Sequence, residues 1–135
     1  MDKALSYIAL ARKAGRIELG EEPVGMAAQT CKANLILVAE DAGSHTWRRA
    51  QSFAAIGDIP CVRVPFTKDQ MGQATGRASL ALAAFTDPAL ALAFVKALDS
   101  THEAVAALEI AVRQSRPVKT LKRSKRKGSS GPKVK

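Results

Sequence analysis

Few residues in this chain have the types and spacing that chemistry requires. Ser44, His45 and Thr46 offer two hydroxyls and an imidazole in succession. Consecutive residues do not converge as a nucleophile, its base and an orienting group must, and no GxSxG turn stands between a strand and a helix. Glu40 and Asp41 form a carboxylate pair, the equipment of acid–base work. They close an apolar run without a basic or metal-ligating neighbour, so they read as a turn or cap. His45 and His102 lie near helix starts, without a Cys or His at ligand spacing, and read as surface residues. Cys31 and Cys61 are thirty residues apart and form no CxxC pair. They read as small buried apolar residues in a reducing, cytoplasmic compartment. "MGQATG", Met71 to Gly76, has the two glycines of a phosphate cradle but lacks the Lys and Ser/Thr of a P-loop, and reads as a tight turn feeding a strand. The expectation is therefore no catalytic residue, no metal site and no cofactor.

The basic residues are more informative. Residues 116–135 hold nine Lys and Arg and no acid, including Lys122, Arg123, Lys125, Arg126 and Lys127. Residues 1–115 carry twelve basic and twelve acidic side chains. The net charge of +9 thus belongs to the tail alone. Nine cations beside a neutral domain favour a polyanionic partner, and if all nine met phosphates the salt slope of binding would approach roughly −6 to −8. Such contacts supply affinity without sequence choice. Aromatic content of 4% disfavours a platform that stacks unpaired bases. No signal peptide or membrane span is apparent.

The elements that must position these groups can be read from periodicity. "DKALSYIALARKAG" has helical spacing and ends at Gly15, with Arg12 and Lys13 in its last turn. "RIEL" is a short strand. "ELGEEPVGMAAQ" opens a second helix, with Pro23 in the first turn, where its missing N–H costs nothing. Val24, Ala27, Ala28 and Cys31 form the apolar stripe of that helix, leaving Glu22, Gly25, Met26 and Gln29 outward. "ANLILVAE", "IPCVRVPF" and "ASLALAAF" are strands. Between them lie a helix over "SHTWRRAQSFAAIG", with Ser44 as its candidate cap, and a short one begun by Thr67, followed by a glycine-bearing loop. Asp87 and Pro88 start another helix, and Ser100-x-x-Glu103 resembles a capping box for the last. Strands alternating with helices through residue 99 predict a three-layer α/β/α sandwich with a small mixed central sheet. The reading divides the chain into one domain, residues 1–115, and a basic tail, residues 116–135, disordered when unbound.

The order of "IALARKAGRIELGEEPV", "ANLILVAEDAGSHT" and "IPCVRVPFTKDQMGQATGRASLALAAFTD" resembles the ribosomal L-seven-Ae family of kink-turn RNA-binding proteins, in particular its small bacterial members, over residues 3–98. The most specific pieces are A-R-K-A-G-R, the strand ending "AEDA", and "MGQATG", which matches an L-G-x-A-x-G loop. The resemblance implies an α/β/α sandwich, no enzymatic activity, and structured, ribosomal RNA as partner. It places the G·A pairs of a kink-turn against the helix opening at Gly20, Glu21 and Glu22. It places a protruding base against Gly72, Ala74, Thr75, Gly76 and Ala78, with Glu40 and Asp41 nearby. Arg12, Lys13, Lys32 and Arg77 are the phosphate contacts this arrangement suggests. One departure stands out. Where the family reads G-x-N-E-x-x-K, Glu22 holds the asparagine position, Pro23 the glutamate position and Met26 the lysine position. Contacts worth about 1–3 kcal/mol each are altered.

Three functions follow as alternatives. The first is an RNA-binding, ribosome-associated protein, monomeric when free, with ribosomal proteins as further neighbours. The second is a protein-interaction module of the same fold that has lost kink-turn recognition, with Met26 on its partner surface. The third is a stand-alone relative of the substrate-recognition domain of some RNA methyltransferases, for which the chain is too short to carry a cofactor domain.

Overall fold

The computed structural model describes residues 2–124; of residues 115–124 it describes the helical backbone alone. Ten elements alternate along the chain: α1 (Lys3–Ala14), β1 (Ile17–Leu19), α2 (Glu21–Gln29), β2 (Leu35–Val38), α3 (Ser44–Gly57), β3 (Cys61–Arg63), α4 (Lys68–Thr75), β4 (Leu82–Phe85), α5 (Pro88–Leu98) and α6 (Ala104–Ser124). The strands form one mixed sheet in the order β1-β4-β2-β3, with β2 and β3 parallel and β4 antiparallel to both of its neighbours.

Alternation along the strands builds the layers. Leu35 and Leu37 of β2 join Ala83 and Phe85 of β4 in a core shared with α1, α4, α5 and α6. Ile36 and Val38 join Leu82 and Ala84 in a second core under α2 and α3. Because both faces are covered, β2 and β4 read as unbroken apolar runs. Phe85 and Phe94 are fully buried with ring centroids 5.3 Å apart, and burial of each contributes about 1.5–3 kcal/mol. The three-layer sandwich expected from the sequence is the observed fold.

Local signals located several helix ends correctly. Gly15 closes α1 at φ 69°, a left-handed conformation that suits glycine. Asp87 accepts from the Ala89 N–H, with Pro88 at the start of α5. Thr67 and Gln70 form a reciprocal capping box at α4.

Other expectations are corrected. Gly43, not Ser44, is the N-cap of α3, and Ser44 is the first residue of the helix. The Ser100–Glu103 box does not form. Instead Asp99 accepts from the Thr101 N–H and hydroxyl, which lowers its pKa, and His102 Nδ1 accepts from the Ala104 N–H at the start of α6. "MGQATG" is not a loop: Met71–Thr75 complete α4 and Gly76 caps it. In α2 the apolar stripe ends at Ala28, because the helix stops at Gln29 and Cys31 turns to φ 61°, leaving Cys31 exposed. Gly25 is buried rather than outward, since the Phe53 ring of α3 approaches it. Cys61 is partly buried, and desolvation pushes its thiol pKa from 9.0 to about 11. The backbone of α6 continues to Ser124, past the last periodic apolar residues. The rest of the tail expected to be disordered, residues 125–135, lies outside the described residues.

Candidate nucleic-acid interface

The opening of α2 is set by Gly20. Its φ of 98° and ψ of 166° belong to a region that only glycine occupies readily, and its N–H donates to the Leu82 carbonyl at 2.9 Å. The interior strand β4 thereby fixes where α2 begins. The N–H groups of the first turn point outward, where the helix dipole favours an anion. Glu21 and Glu22 occupy that turn, and both are exposed.

One turn from a distant part of the chain meets this opening, and a second meets that turn. The crossing after α4 is held close by Gly72: a Cβ there would stand 2.7 Å from the Arg77 carbonyl oxygen and 2.9 Å from the Ser79 nitrogen, so only glycine lets backbone cross backbone. The Arg77 N–H donates to the Gly72 carbonyl at 2.8 Å, and the Leu80 N–H to that of Lys68 at 3.0 Å, pinning the crossing. Its position puts Arg77 Nη1 3.6 Å from where a Gly20 Cβ would be. Gly76 leaves room for Arg12 from the last turn of α1, whose guanidinium carbon would be 3.5 Å from a Cβ at that site.

The row continues on the far side of α2. Arg49 of α3 gives its Nε–H to Glu21 Oε2 at 2.7 Å and lies over the Phe53 ring, 5.1 Å from the centroid. Arg12 thus rests on Gly76, its neighbour Arg77 on Gly20, and Glu21 beside Gly20 holds Arg49. Arg77 and Arg49 thus stand at the helix opening itself, and Arg12 stands on Gly76, the residue before Arg77. Met26, 62% exposed, forms a ridge between two open clefts. One, about 600 Å³, has Glu18, Glu22 and Lys32 on its walls; the other, about 370 Å³, lies between α2 and α3 beside Arg49 and Phe53.

Among the residues singled out from the sequence, Arg12, Gly20, Glu21, Gly76 and Arg77 come together. Glu22 and Lys32 flank the larger cleft beside them. Lys13 is exposed at the end of α1, and Ala78 is exposed in the crossing. Gly72, Ala74 and Thr75 face inward, and the buried Thr75 hydroxyl donates to the Met71 and Gly72 carbonyls. Asp41 accepts from the Lys68 N–H at 2.8 Å and so caps α4, whereas Glu40 is exposed. The side chains of Lys122 and Arg123, and all of Lys125, Arg126 and Lys127, lie outside the described residues. Arg49 was missed. Its partner Glu21 is 28 positions away, and no local pattern pairs them. Among the described residues no group of three His, Cys, Asp or Glu is arranged to hold a metal ion, and no helix is long and apolar enough to cross a membrane.

No protein-family model matches the chain. It is 29% identical over 75 residues to the RNA-binding protein YlxQ of Enterococcus faecium, covering 56% of this chain and 72% of that one. Among solved structures, a Bacillus halodurans protein of unknown function superposes with a TM-score of 0.68 and 26% identity, over 73% of this chain and 99% of the other. The 15.5kD RNA-binding protein of Giardia lamblia gives a TM-score of 0.57 over 77% of this chain and 85% of its own, and at 18% identity shares the fold alone.

Proposed function

We propose that this chain is a non-enzymatic, L-seven-Ae-like RNA-binding protein that docks folded RNA on the α2 opening and draws further affinity from its basic tail. The observation that carries this reading is the arginine row. In a domain whose charges balance, Arg77 and Arg49 flank the opening of α2, and Arg12 extends the row on Gly76, the residue before Arg77. Phosphate is the anion that such a surface suits, by charge and by the fork geometry of guanidinium. The likeness to an RNA-binding protein of Enterococcus faecium supports RNA as the polymer.

The RNA is a structured one, on the resemblance a ribosomal RNA, and its bent internal loop differs from a standard kink-turn. Glu22, Pro23 and Met26 lack the amide, carboxylate and ammonium of the family's readers. Fluorescence anisotropy with a labelled RNA tests both parts. A hairpin carrying a bent internal loop is expected to bind more tightly than a straight duplex of equal length. Double substitution R12A/R77A reduces that preference, whereas deletion of residues 125–135, which hold five cations, weakens both RNAs and flattens the salt slope by up to roughly 4. Equal binding of hairpin and duplex by the intact chain refutes docking by the domain. Unchanged affinity after the deletion refutes the role of the tail.

The exposure of Met26 between two clefts favours a second reading, a protein-interaction module. Partners that survive nuclease treatment and are lost in M26E would support it over the first.

A further inference from the structure

We propose that Arg49 is an RNA-phosphate contact, and that Glu21 is the carboxylate that positions it rather than a reader of base edges. This rests on the RNA-binding reading above. The ion pair is half-exposed, 46% for the Arg49 side chain and 44% for Glu21, and surface pairs of this kind add little to stability. Its geometry is the informative part. Glu21 engages Nε at 2.7 Å, and the guanidinium carbon lies over the Phe53 ring, 5.1 Å from its centroid. Phe53 is itself close against Gly25, at 3.0 Å from where a Cβ would be. Two faces of the guanidinium are therefore assigned. Among the described residues Arg49 makes no other hydrogen bond, so both Nη groups remain available on the exposed side. Those groups present parallel donors suited to two oxygens of one phosphodiester.

This arrangement changes the meaning of the acids at the α2 opening. The Glu21 charge is compensated within 2.7 Å, and the net effect of the pair is to hold a directed cation beside a position where Met26 offers none. A lysine at residue 49 would keep the charge but not the Nε bond or the paired donors.

The test uses the full chain and the labelled hairpin RNA with a bent internal loop, titrated at several salt concentrations. R49A is expected to weaken binding about 5–10-fold and to reduce the salt slope by about 1. R49K recovers the slope but only part of the affinity. E21Q, nearly isosteric, is the discriminating variant: positioning predicts about 2–5-fold weaker binding although a negative charge has been removed. Tighter binding by E21Q, or unchanged affinity in R49A, overturns the proposal. If the unaltered chain binds the hairpin while R49A matches it, this inference alone fails. If the unaltered chain does not bind, the functional reading fails with it. Melting curves of all three variants confirm folding, and E21Q carries the test should R49A unfold.

Discussion

Replacing Gly72 by alanine sets two effects of known size against each other. Gly72 lies inside α4, where alanine is favoured by about 0.8–1.0 kcal/mol on helix propensity. Against this, the new Cβ would stand 2.7 Å from the Arg77 carbonyl oxygen, 2.9 Å from the Ser79 nitrogen and 3.0 Å from the Ala78 carbonyl carbon. Overpacking typically costs 1–3 kcal/mol and sometimes more. The upper part of that range applies, because the obstructing atoms are backbone pinned to α4 by the Arg77 and Leu80 N–H groups. Net destabilisation of about 1–2 kcal/mol follows, a fall of roughly 3–10 °C in Tm for a domain of this size. Circular dichroism melts and urea titration measure it. Gly25→Ala is the comparator. There the Cβ meets the far edge of the Phe53 ring at 3.0 Å, and a ring edge can shift where a crossing backbone cannot, so its cost is smaller. A G72A protein melting at or above the parent, or G25A proving the more damaging, would refute the argument. Displacing the crossing also moves Arg77 off Gly20, so G72A is expected to lose hairpin-RNA affinity even where it remains folded.

Two further outcomes follow. Asp41→Ala removes the acceptor for the Lys68 N–H and should cost roughly 0.5–2 kcal/mol of stability, while leaving RNA affinity within about twofold; a large loss of affinity without loss of stability would return Asp41 to the interface. Iodoacetamide at pH 8 should alkylate exposed Cys31 in the folded chain and spare Cys61, whose thiol pKa burial raises to about 11, until the chain unfolds; mass spectrometry of timed samples that finds equal rates would contradict the burial. The sign of the accompanying linkage is fixed. The native state holds the Cys61 proton more tightly, so its contribution is complete below about pH 9 and is lost as pH rises toward 11, a loss that Cys61→Ala should remove.

What could be read from the sequence was what is decided within a few residues. Gly15, Thr67 and Asp87–Pro88 act on helix ends beside them, and their roles were legible. The apolar runs of β2 and β4 announced strands buried on both faces. Failures arose where distant chain decides. The two glycines of "MGQATG" suggest a loop in isolation. They sit instead within and at the end of a helix, because Gly72 must admit the 77–79 crossing and Gly76 must turn at φ 75° beside Arg12. Gly25 reads as outward by helical spacing and is buried because Phe53, 28 positions later, leans over it. Ser44 and Ser100 are good capping residues, but the caps fall elsewhere, on Gly43 for α3 and on His102 for α6. The candidate site was half legible: its residues on α1, α2 and the crossing were named, and Arg49 was not.

The balance of charges also misleads when taken over the whole domain. Twelve basic and twelve acidic residues in positions 1–115 cancel at long range, yet with a screening length of about 8 Å at physiological salt only the local arrangement acts on a docked phosphate. Locally, Glu21 is paired with Arg49, Glu22 is exposed in the same turn, and Arg77 and Arg12 lie against glycines that add no side chain of their own. On the proposed reading this divides the work. The tail captures polyanion without choice, and the row selects orientation by where a folded backbone places its phosphates. Loss of the lysine position to Met26 then costs recognition of one motif, not attraction to RNA. The consequence is sharp: variants of the row should change which RNA fold is preferred while leaving most of the salt slope intact, and variants of the tail should do the reverse.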